Sequence, residues 1–201
     1  MLMYQLIRAL GLIAYLSFSL TVGLGIASAG GGRTIRALDR RLVRQLLHRS
    51  TAVIGLATLA LHVGLTVADT YVDTSLAAVL VPFTAGYDTF ALGLGSLAIY
   101  ALVLAGISGW LRTTLARRVS ERTWRWLHWG SYAGWALALL HGLIAGPDTA
   151  AVWALVTYAA GIALVLAGAI GRLVTARHQV RRRDGDLVAP RAAVLVGSEE
   201  R

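Results

Sequence analysis

The sequence predicts an all-α integral membrane protein, a bundle of about five transmembrane helices with its N-terminus outside and its C-terminus in the cytoplasm. Of the 201 residues, 57% are hydrophobic and 14% are charged, and the mean hydropathy is +0.65. Soluble domains are less apolar and carry about a quarter charged residues, so both values indicate a membrane. The lengths of the apolar stretches predict the number of spans, and the arginines between them predict the orientation.

Five stretches are long and apolar enough to cross a bilayer, which takes roughly 20 residues of helix. They are residues 10–29, 51–68, 91–111, 126–145 and 152–171. The segment 71–90 contains Asp73 and Asp88, so we interpret it as an outer loop with a short interfacial helix. The predicted helical bundle occupies residues 1–175, and residues 176–201 form a basic cytoplasmic tail that is partly disordered.

The arginines give the predicted orientation. They lie between the first and second stretches, between the third and fourth, and in the tail, and none lies in residues 50–111 or 126–171. Because basic residues concentrate on the cytoplasmic side, we expect a multi-pass protein of the inner or plasma membrane of a bacterium. Arg8 is an exception near the opposite end, where a long side chain can snorkel to the headgroups. The arginines of the two connections are Arg33, Arg36, Arg40, Arg41, Arg44, Arg49, Arg112, Arg117, Arg118, Arg122 and Arg125.

Composition excludes several kinds of site and partner. The chain has no cysteine, which removes disulfides, thiolate iron–sulfur ligation and covalently attached c-type haem. Its formal net charge of +9 comes from arginines between apolar stretches, so the predicted partner is the lipid bilayer and not nucleic acid. The first stretch ends in Ala27-Ser28-Ala29, which resembles a signal-peptidase site. Its length and its weakly basic start favour a retained helix.

Four of the five histidines form the candidate site. They are His48 and His62 on the second helix and His128 and His141 on the fourth. The two helices run in the same direction, and His48 and His128 both lie at basic, cytoplasmic ends. His62 and His141 lie 14 and 13 residues further on, roughly 20 Å deeper. Ionisable groups in a membrane are usually functional, and imidazole is a standard axial ligand of haem iron, so the arrangement suits one or two haems b, each held by two imidazoles.

Residues near the histidines fit a macrocycle. Gly55 lies midway between His48 and His62, where a small residue would let a flat ring approach the helix. Haem propionates are anionic, and Arg49 and Arg125 belong to a basic cluster at the level of His48 that suits carboxylates. The cluster consists of Arg44, Arg49, Arg122 and Arg125.

The spacing on the fourth helix is less regular. Thirteen residues fall about 140° short of a whole number of turns, so a straight helix would not direct His128 and His141 at one neighbour. Gly130 and Gly134 would permit a bend or a π-bulge between them. Trp124 and Trp126, which precede His128 on the same helix, are interpreted as interfacial anchors.

A family resemblance rests on these residues. The stretch Leu47-His48-Arg49-Ser50 with Gly55 and His62, followed by Trp126-Leu127-His128 and His141, resembles the ferric-reductase-like transmembrane domain. That superfamily includes ferric reductases, NADPH-oxidase catalytic subunits and the haem subunit of bacterial periplasmic methionine sulfoxide reductase. The resemblance covers roughly residues 40–175. It implies that His48 and His128 ligate the iron of an inner haem, and that His62 and His141 ligate that of an outer one.

The resemblance implies a membrane cytochrome b, the electron-transfer subunit of an oxidoreductase, without catalytic residues of its own. No G-x-G-x-x-G fingerprint occurs in a strand–helix setting, so we expect no flavin or nicotinamide domain. Electrons would come from a separate flavin reductase or from quinol. They would leave to an acceptor protein or to ferric iron on the outer side.

Two functions of other classes stay open. In a haem-free transporter or metal-handling protein, the histidines would bind a bare ion or relay protons, and carboxylates would be expected at membrane depth. The five predicted spans contain no Asp or Glu. In a structural membrane subunit, the histidines would only make hydrogen bonds between helices, and replacing His62 with Ala would change stability alone.

Overall fold

The computed structural model describes residues 2–28, 35–70, 74–112, 119–145 and 147–199, with side chains throughout except at 35–37, 147 and 181–199. Within these residues the chain is helical and has no strand, which confirms the all-α prediction. The elements are α1 Leu2–Ala27, α2 Ile35–Ala68, α3 Leu76–Leu80, α4 Thr89–Trp110, α5 Glu121–Ile144, a 3₁₀ turn Pro147–Ala150 and α6 Val152–Glu199.

Four of these helices contain segments long and apolar enough to cross a membrane, which confirms the multi-pass membrane character. The segments are Leu2–Ala27, Leu38–Ala68, Thr89–Trp110 and Val152–Val180. Helix α5 has 24 residues, but its histidines and aromatic residues make it less apolar, and it is not among the four. The short helix α3 lies in the connection where the sequence predicted one.

Some predicted features lie outside the described residues. These are Arg33, Asp73, Arg117 and Arg118, together with the side chain of Arg36. The backbone of α6 continues as a helix to Glu199, and its last part, residues 176–199, falls in the segment that the sequence assigns to a partly disordered tail. The disorder of that tail stays a prediction.

Two antiparallel helical hairpins form the bundle. Helix α1 packs along α2, and α4 packs along α5, while α6 covers another side of α1. Helices α2 and α5 have little direct contact and approach each other through their histidines. The outer surfaces carry large apolar side chains such as Leu61, which is 57% exposed, as lipid contact requires.

Polar side chains define several helix ends. The Asp88 carboxylate accepts the amide hydrogen of Ala91 at the start of α4, and the Ser120 hydroxyl accepts that of Thr123 at the start of α5. Both residues are favoured N-caps because they satisfy an amide that has no partner within the helix. At the C-terminus of α1, the Arg44 guanidinium donates to the carbonyl of Ala27 at 2.9 Å. This bond ties the start of α2 to the end of α1.

The one arginine on α1 is neutralised within the fold. The side chain of Arg8 is 13% exposed, and its Nη1 lies 3.5 Å from Asp148 Oδ2. Tyr4 accepts a hydrogen bond from Arg8 at 3.0 Å and donates one to Asp148 at 2.8 Å. The guanidinium also lies 5.3 Å from the centre of the Trp153 ring. Arg8 therefore links α1 to the turn before α6, and its extension to the headgroups stays a prediction.

Helices α1 and α6 cross at close range through glycines. A Cβ atom at Gly168 would lie 2.3 Å from the carbonyl oxygen of Gly23, and one at Gly23 would lie 2.6 Å from that of Leu164. Small residues let helix backbones touch, which is how helices associate in lipid, where burial of apolar surface gives no driving force. Nearby, the Tyr15 hydroxyl donates to the carbonyl of Tyr158 at 3.0 Å. Helix α1 is thus fixed between α2 and α6.

The crossing predicts a specific stability defect. Gly168→Ala should destabilise the bundle by about 1–3 kcal/mol, because the new methyl group meets a backbone carbonyl that cannot move alone. Unfolding by SDS in mild detergent, followed by circular dichroism, measures the change. Gly171→Ala on the same helix is the control, since nothing lies within 4 Å of its Cβ position, and alanine there should be neutral or slightly stabilising. Equal losses in the two variants would contradict the close crossing.

Candidate cofactor site

The structure brings the four membrane histidines together in two pairs. The ring centroids of His48 and His128 are 6.2 Å apart, with an angle of 60° between the rings. Those of His62 and His141 are 6.5 Å apart, with an angle of 74°. The two pairs lie at two levels of the α2–α5 gap, and we name them the His48–His128 level and the His62–His141 level. The fifth histidine, His178, is exposed on α6.

Three of the rings are held by a backbone carbonyl of the neighbouring helix. The bonds from Nδ1 run from His48 to Thr21 (2.8 Å), from His62 to Ile7 (2.8 Å) and from His141 to Ala91 (2.7 Å). Because a carbonyl can only accept, Nδ1 carries the hydrogen and Nε2 keeps its lone pair. This is the tautomer in which a histidine binds a metal through Nε2 while a second partner fixes its ring.

A glycine lies against each of the four rings. A Cβ atom would lie 3.0 Å from the nearest ring atom at Gly11 (His62), 3.3 Å at Gly25 (His48), 3.0 Å at Gly95 (His141) and 3.7 Å at Gly109 (His128). For the three carbonyl-bonded rings, the glycine follows the accepting residue by four positions. A helical carbonyl points at the amide four residues on, so a side chain there would stand between the ring and the carbonyl. The missing side chain therefore gives each ring access to the helix backbone.

In the first hairpin, the contacts between α1 and α2 repeat every seven residues along both helices. In order along α1, Gly11, Phe18 and Gly25 face His62, Gly55 and His48 of α2. Seven residues are nearly two turns, so the three contacts stay on one face. The Phe18 ring fills the space at Gly55, where a Cβ atom would lie 3.0 Å from it. The sequence analysis expected a cofactor ring at Gly55, and the structure places this protein ring there.

The second hairpin repeats the arrangement. In order along α4, Gly95, Leu102 and Gly109 face His141, Gly134 and His128 of α5. A Cβ atom at Gly134 would lie 2.9 Å from Leu102. Phe18 and Leu102 belong to one buried cluster with Ala14, so the middle steps of both hairpins meet between the two histidine levels.

The four glycines were not predicted from the sequence. Their signal is a spacing, because Gly11 and Gly25 are 14 residues apart, as are Gly95 and Gly109. A 14-residue glycine pair on the helix before each histidine helix was the readable signal.

The 13-residue spacing is accommodated at His128. A step of seven back from Gly134 reaches Leu127, so His128 is displaced by one residue from the regular register. Helix α5 is α-helical throughout, so the π-bulge considered from the sequence is not its solution. Instead the contacts of His128 with α4 are looser. Its Nδ1 lies 3.4 Å from Ser108 Oγ, and that hydroxyl donates to the carbonyl of Ala105 at 2.8 Å.

A tryptophan supports this displaced ring. The Trp124 indole is nearly parallel to the His128 ring, at 12° and a centroid distance of 5.2 Å. Its Nε1 donates to the carbonyl of Ser108 at 2.9 Å, which ties α5 to α4. The guanidinium carbon of Arg112 lies 4.8 Å from the centre of the indole, a cation–π distance. Trp124 therefore contacts the site directly, beyond the anchoring role expected from the sequence.

The arginines predicted to bind propionates are close to the site in sequence and exposed. Arg125 Nη1 lies 3.9 Å from Glu121 Oε1, one turn earlier on α5, and both side chains face solvent. Arg49, next to His48, is also exposed. The role of Arg49 and Arg125 toward propionates stays a prediction.

The histidine pairs fit an iron between two imidazoles. In a straight arrangement, two metal–nitrogen bonds of about 2 Å, with about 1.1 Å from each nitrogen to its ring centroid, would place the centroids about 6.2 Å apart. The observed separations are 6.2 and 6.5 Å. Each level offers two donors, and the described residues contain no group of three or more His, Cys, Asp or Glu that could hold a metal ion. Two opposed imidazoles are the axial set of a six-coordinate haem, whose macrocycle supplies the other four donors.

Comparison with protein-family models, with curated proteins and with solved structures finds no match to this chain. The ferric-reductase-like resemblance rests on the residues that carry it and stays a prediction.

Proposed function

We propose that the protein is a membrane cytochrome b that carries electrons across the bilayer through two bis-histidine haems. The observation that supports this most strongly is the pair of histidine levels, whose centroid separations of 6.2 and 6.5 Å match an iron between two imidazoles. When bound, each haem supplies reversible one-electron chemistry, which belongs to the cofactor.

The protein's own residues hold and orient the ligands. The bonds from Nδ1 to helix carbonyls fix three of the rings, and a bond of this kind raises the donor strength of Nε2. The glycines allow these bonds to form at the backbone. A haem held between two such imidazoles would have no open position for a substrate, so these residues suit electron transfer and not catalysis at the iron.

Packing supports five membrane spans. Helix α4 is long and apolar enough to cross a membrane. Helix α5 contacts it near both ends, through His141 and Ala91 at one end and through Trp124 and Ser108 at the other. A helix packed along a spanning helix over this length crosses with it, although its own histidines lower its hydropathy. With five spans, the positive-inside rule would put the N-terminus outside and the His48–His128 level on the cytoplasmic side.

The proposal includes a donor and an acceptor on opposite sides of the membrane. A separate flavin reductase, or quinol, would deliver electrons from the cytoplasmic side. An acceptor protein or ferric iron would take them on the outer side. The protein would thus act as the electron-transfer subunit of a ferric-reductase-like oxidoreductase in the cell membrane.

The visible spectrum tests the proposal. The purified protein should show b-type bands in its dithionite-reduced minus oxidised spectrum, with two haems per chain. His62→Ala and His128→Ala should each lower this to one, because each removes an axial ligand from one level. His178→Ala is the control and should retain both haems. A colourless protein from haem-sufficient cells would contradict the proposal and favour a transporter or a structural subunit.

The glycines predict a selective loss. Gly11→Val and Gly95→Val should each remove the haem of the His62–His141 level, about half of the total, because even a Cβ atom at either position would lie 3.0 Å from a histidine ring. Haem extracted as the pyridine complex, per protein, measures the loss. Gly64→Val on α2 and Gly130→Val on α5 are matched controls, since nothing lies within 4 Å of their Cβ positions. Equal haem loss in the test and control variants would show that haem binding does not depend on the contacts between these glycines and the histidine rings.

A further inference from the structure

The two histidine levels differ at His128. The other three rings bond a backbone carbonyl at 2.7–2.8 Å, whereas His128 faces the Ser108 hydroxyl at 3.4 Å and interacts only weakly with the carbonyl of Ala105. The His128 ring also stacks on the Trp124 indole, whose Nε1 donates a hydrogen bond to the carbonyl of Ser108. The guanidinium carbon of Arg112 lies 4.8 Å from the centre of that indole. Arg112, Trp124 and His128 thus form a stack from a cation to a ligand ring, and His62 and His141 have no such stack among the described contacts.

The charged residues also differ between the two levels, with arginines near the His48–His128 level and a carboxylate near the His62–His141 level. Arg49 and Arg112 lie near the His48–His128 level, and Arg125 there is paired with Glu121 at 3.9 Å. At the other level, Asp88 caps α4 through the amide of Ala91, whose carbonyl holds His141. Arg8, on the same side, is paired with a carboxylate and adds little net charge.

Both differences act on a metal–imidazole site in one direction. A strong bond from Nδ1 makes the imidazole a better donor and stabilises the oxidised metal, so the long contact of His128 weakens that stabilisation. A nearby cation favours the state that has gained an electron, and a nearby carboxylate disfavours it. The His48–His128 level should therefore be the easier of the two to reduce.

We propose that Trp124 is a positioning residue that fixes the His128 ring and holds Arg112 beside it, which makes the His48–His128 level the more readily reduced of the two. This inference rests on the proposed function. The more readily reduced level then lies on the side where the donor is proposed to act, so an incoming electron is captured there, and its removal by the acceptor drives the transfer to the other level.

A redox titration of the haem-loaded protein in detergent, followed at the α band, tests the inference. The native protein should titrate as two one-electron components. Trp124→Leu and Arg112→Gln should each lower the higher component by a threefold to tenfold change in its equilibrium constant, about 30–60 mV, and leave the lower one in place. His62→Ala should retain only the higher component. Haem content and the low-spin electron paramagnetic resonance signals are recorded in parallel, and Trp124→Leu should change one signal of the two.

Trp126→Leu is the matched control. Trp126 lies two residues further along α5, is 62% exposed and contacts Trp129. Its replacement should leave both components unchanged.

The inference is overturned if neither Trp124→Leu nor Arg112→Gln shifts a component, if both components move equally, or if His62→Ala keeps the lower one. Should Trp124→Leu fail to fold, Arg112→Gln decides, because Arg112 is exposed. A native protein with two haems and no selective shift refutes this inference alone, whereas a protein without haem refutes the proposed function as well.

Discussion

The hydrogen bond from a histidine ring to a helix backbone is the interaction on which the rest of this structure depends. An imidazole N–H inside a bundle needs an acceptor, and leaving it without one costs about 1–3 kcal/mol. A helix carbonyl is already bonded along its own helix, so the ring can reach it only where the residue four positions on lacks a side chain. Ile7 with Gly11 meets this condition for His62, and Ala91 with Gly95 meets it for His141. Each such contact fixes the register and the close approach of one hairpin.

The architecture follows from these contacts. The histidines of α2 bond α1 through Nδ1, which leaves their Nε2 atoms toward α5. In the same way, His141 of α5 bonds α4 through Nδ1, which leaves its Nε2 atom toward α2. The two histidine helices are therefore held apart at a distance that suits a metal between imidazoles, with little direct packing of their own. Phe18 and Leu102 fill the layer between the levels. Helix α6 adds to this core by its close crossing over α1 at Gly23 and Gly168.

Four apolar helices long enough to span a membrane, and the approach of the histidines in two pairs, could be predicted from the sequence, because hydropathy and the positions of ionisable groups depend on composition and spacing alone. Helix ends could not. Helix α2 begins at Ile35, well before the apolar stretch at 51, because hydropathy reports contact with lipid and an arginine-rich segment can be equally helical. The pairing of Arg8 with Asp148 and the stacking of Trp124 on His128 depend on tertiary contacts between distant segments. Gly55 was assigned by position alone, and the partner that fills its space, Phe18, comes from another helix.

Electron paramagnetic resonance of the oxidised protein, as isolated in mild detergent, tests the central claim most directly, because it reports the ligands of the iron. The account predicts ferric haem that is entirely low-spin, in two signals, since each level supplies an imidazole on both sides of the metal. Loss of His141 should leave one low-spin signal and convert or remove the other. A high-spin signal in the native protein would mean an open axial position, and the absence of any haem signal would mean that the four histidines serve the fold alone. Either result would contradict the account.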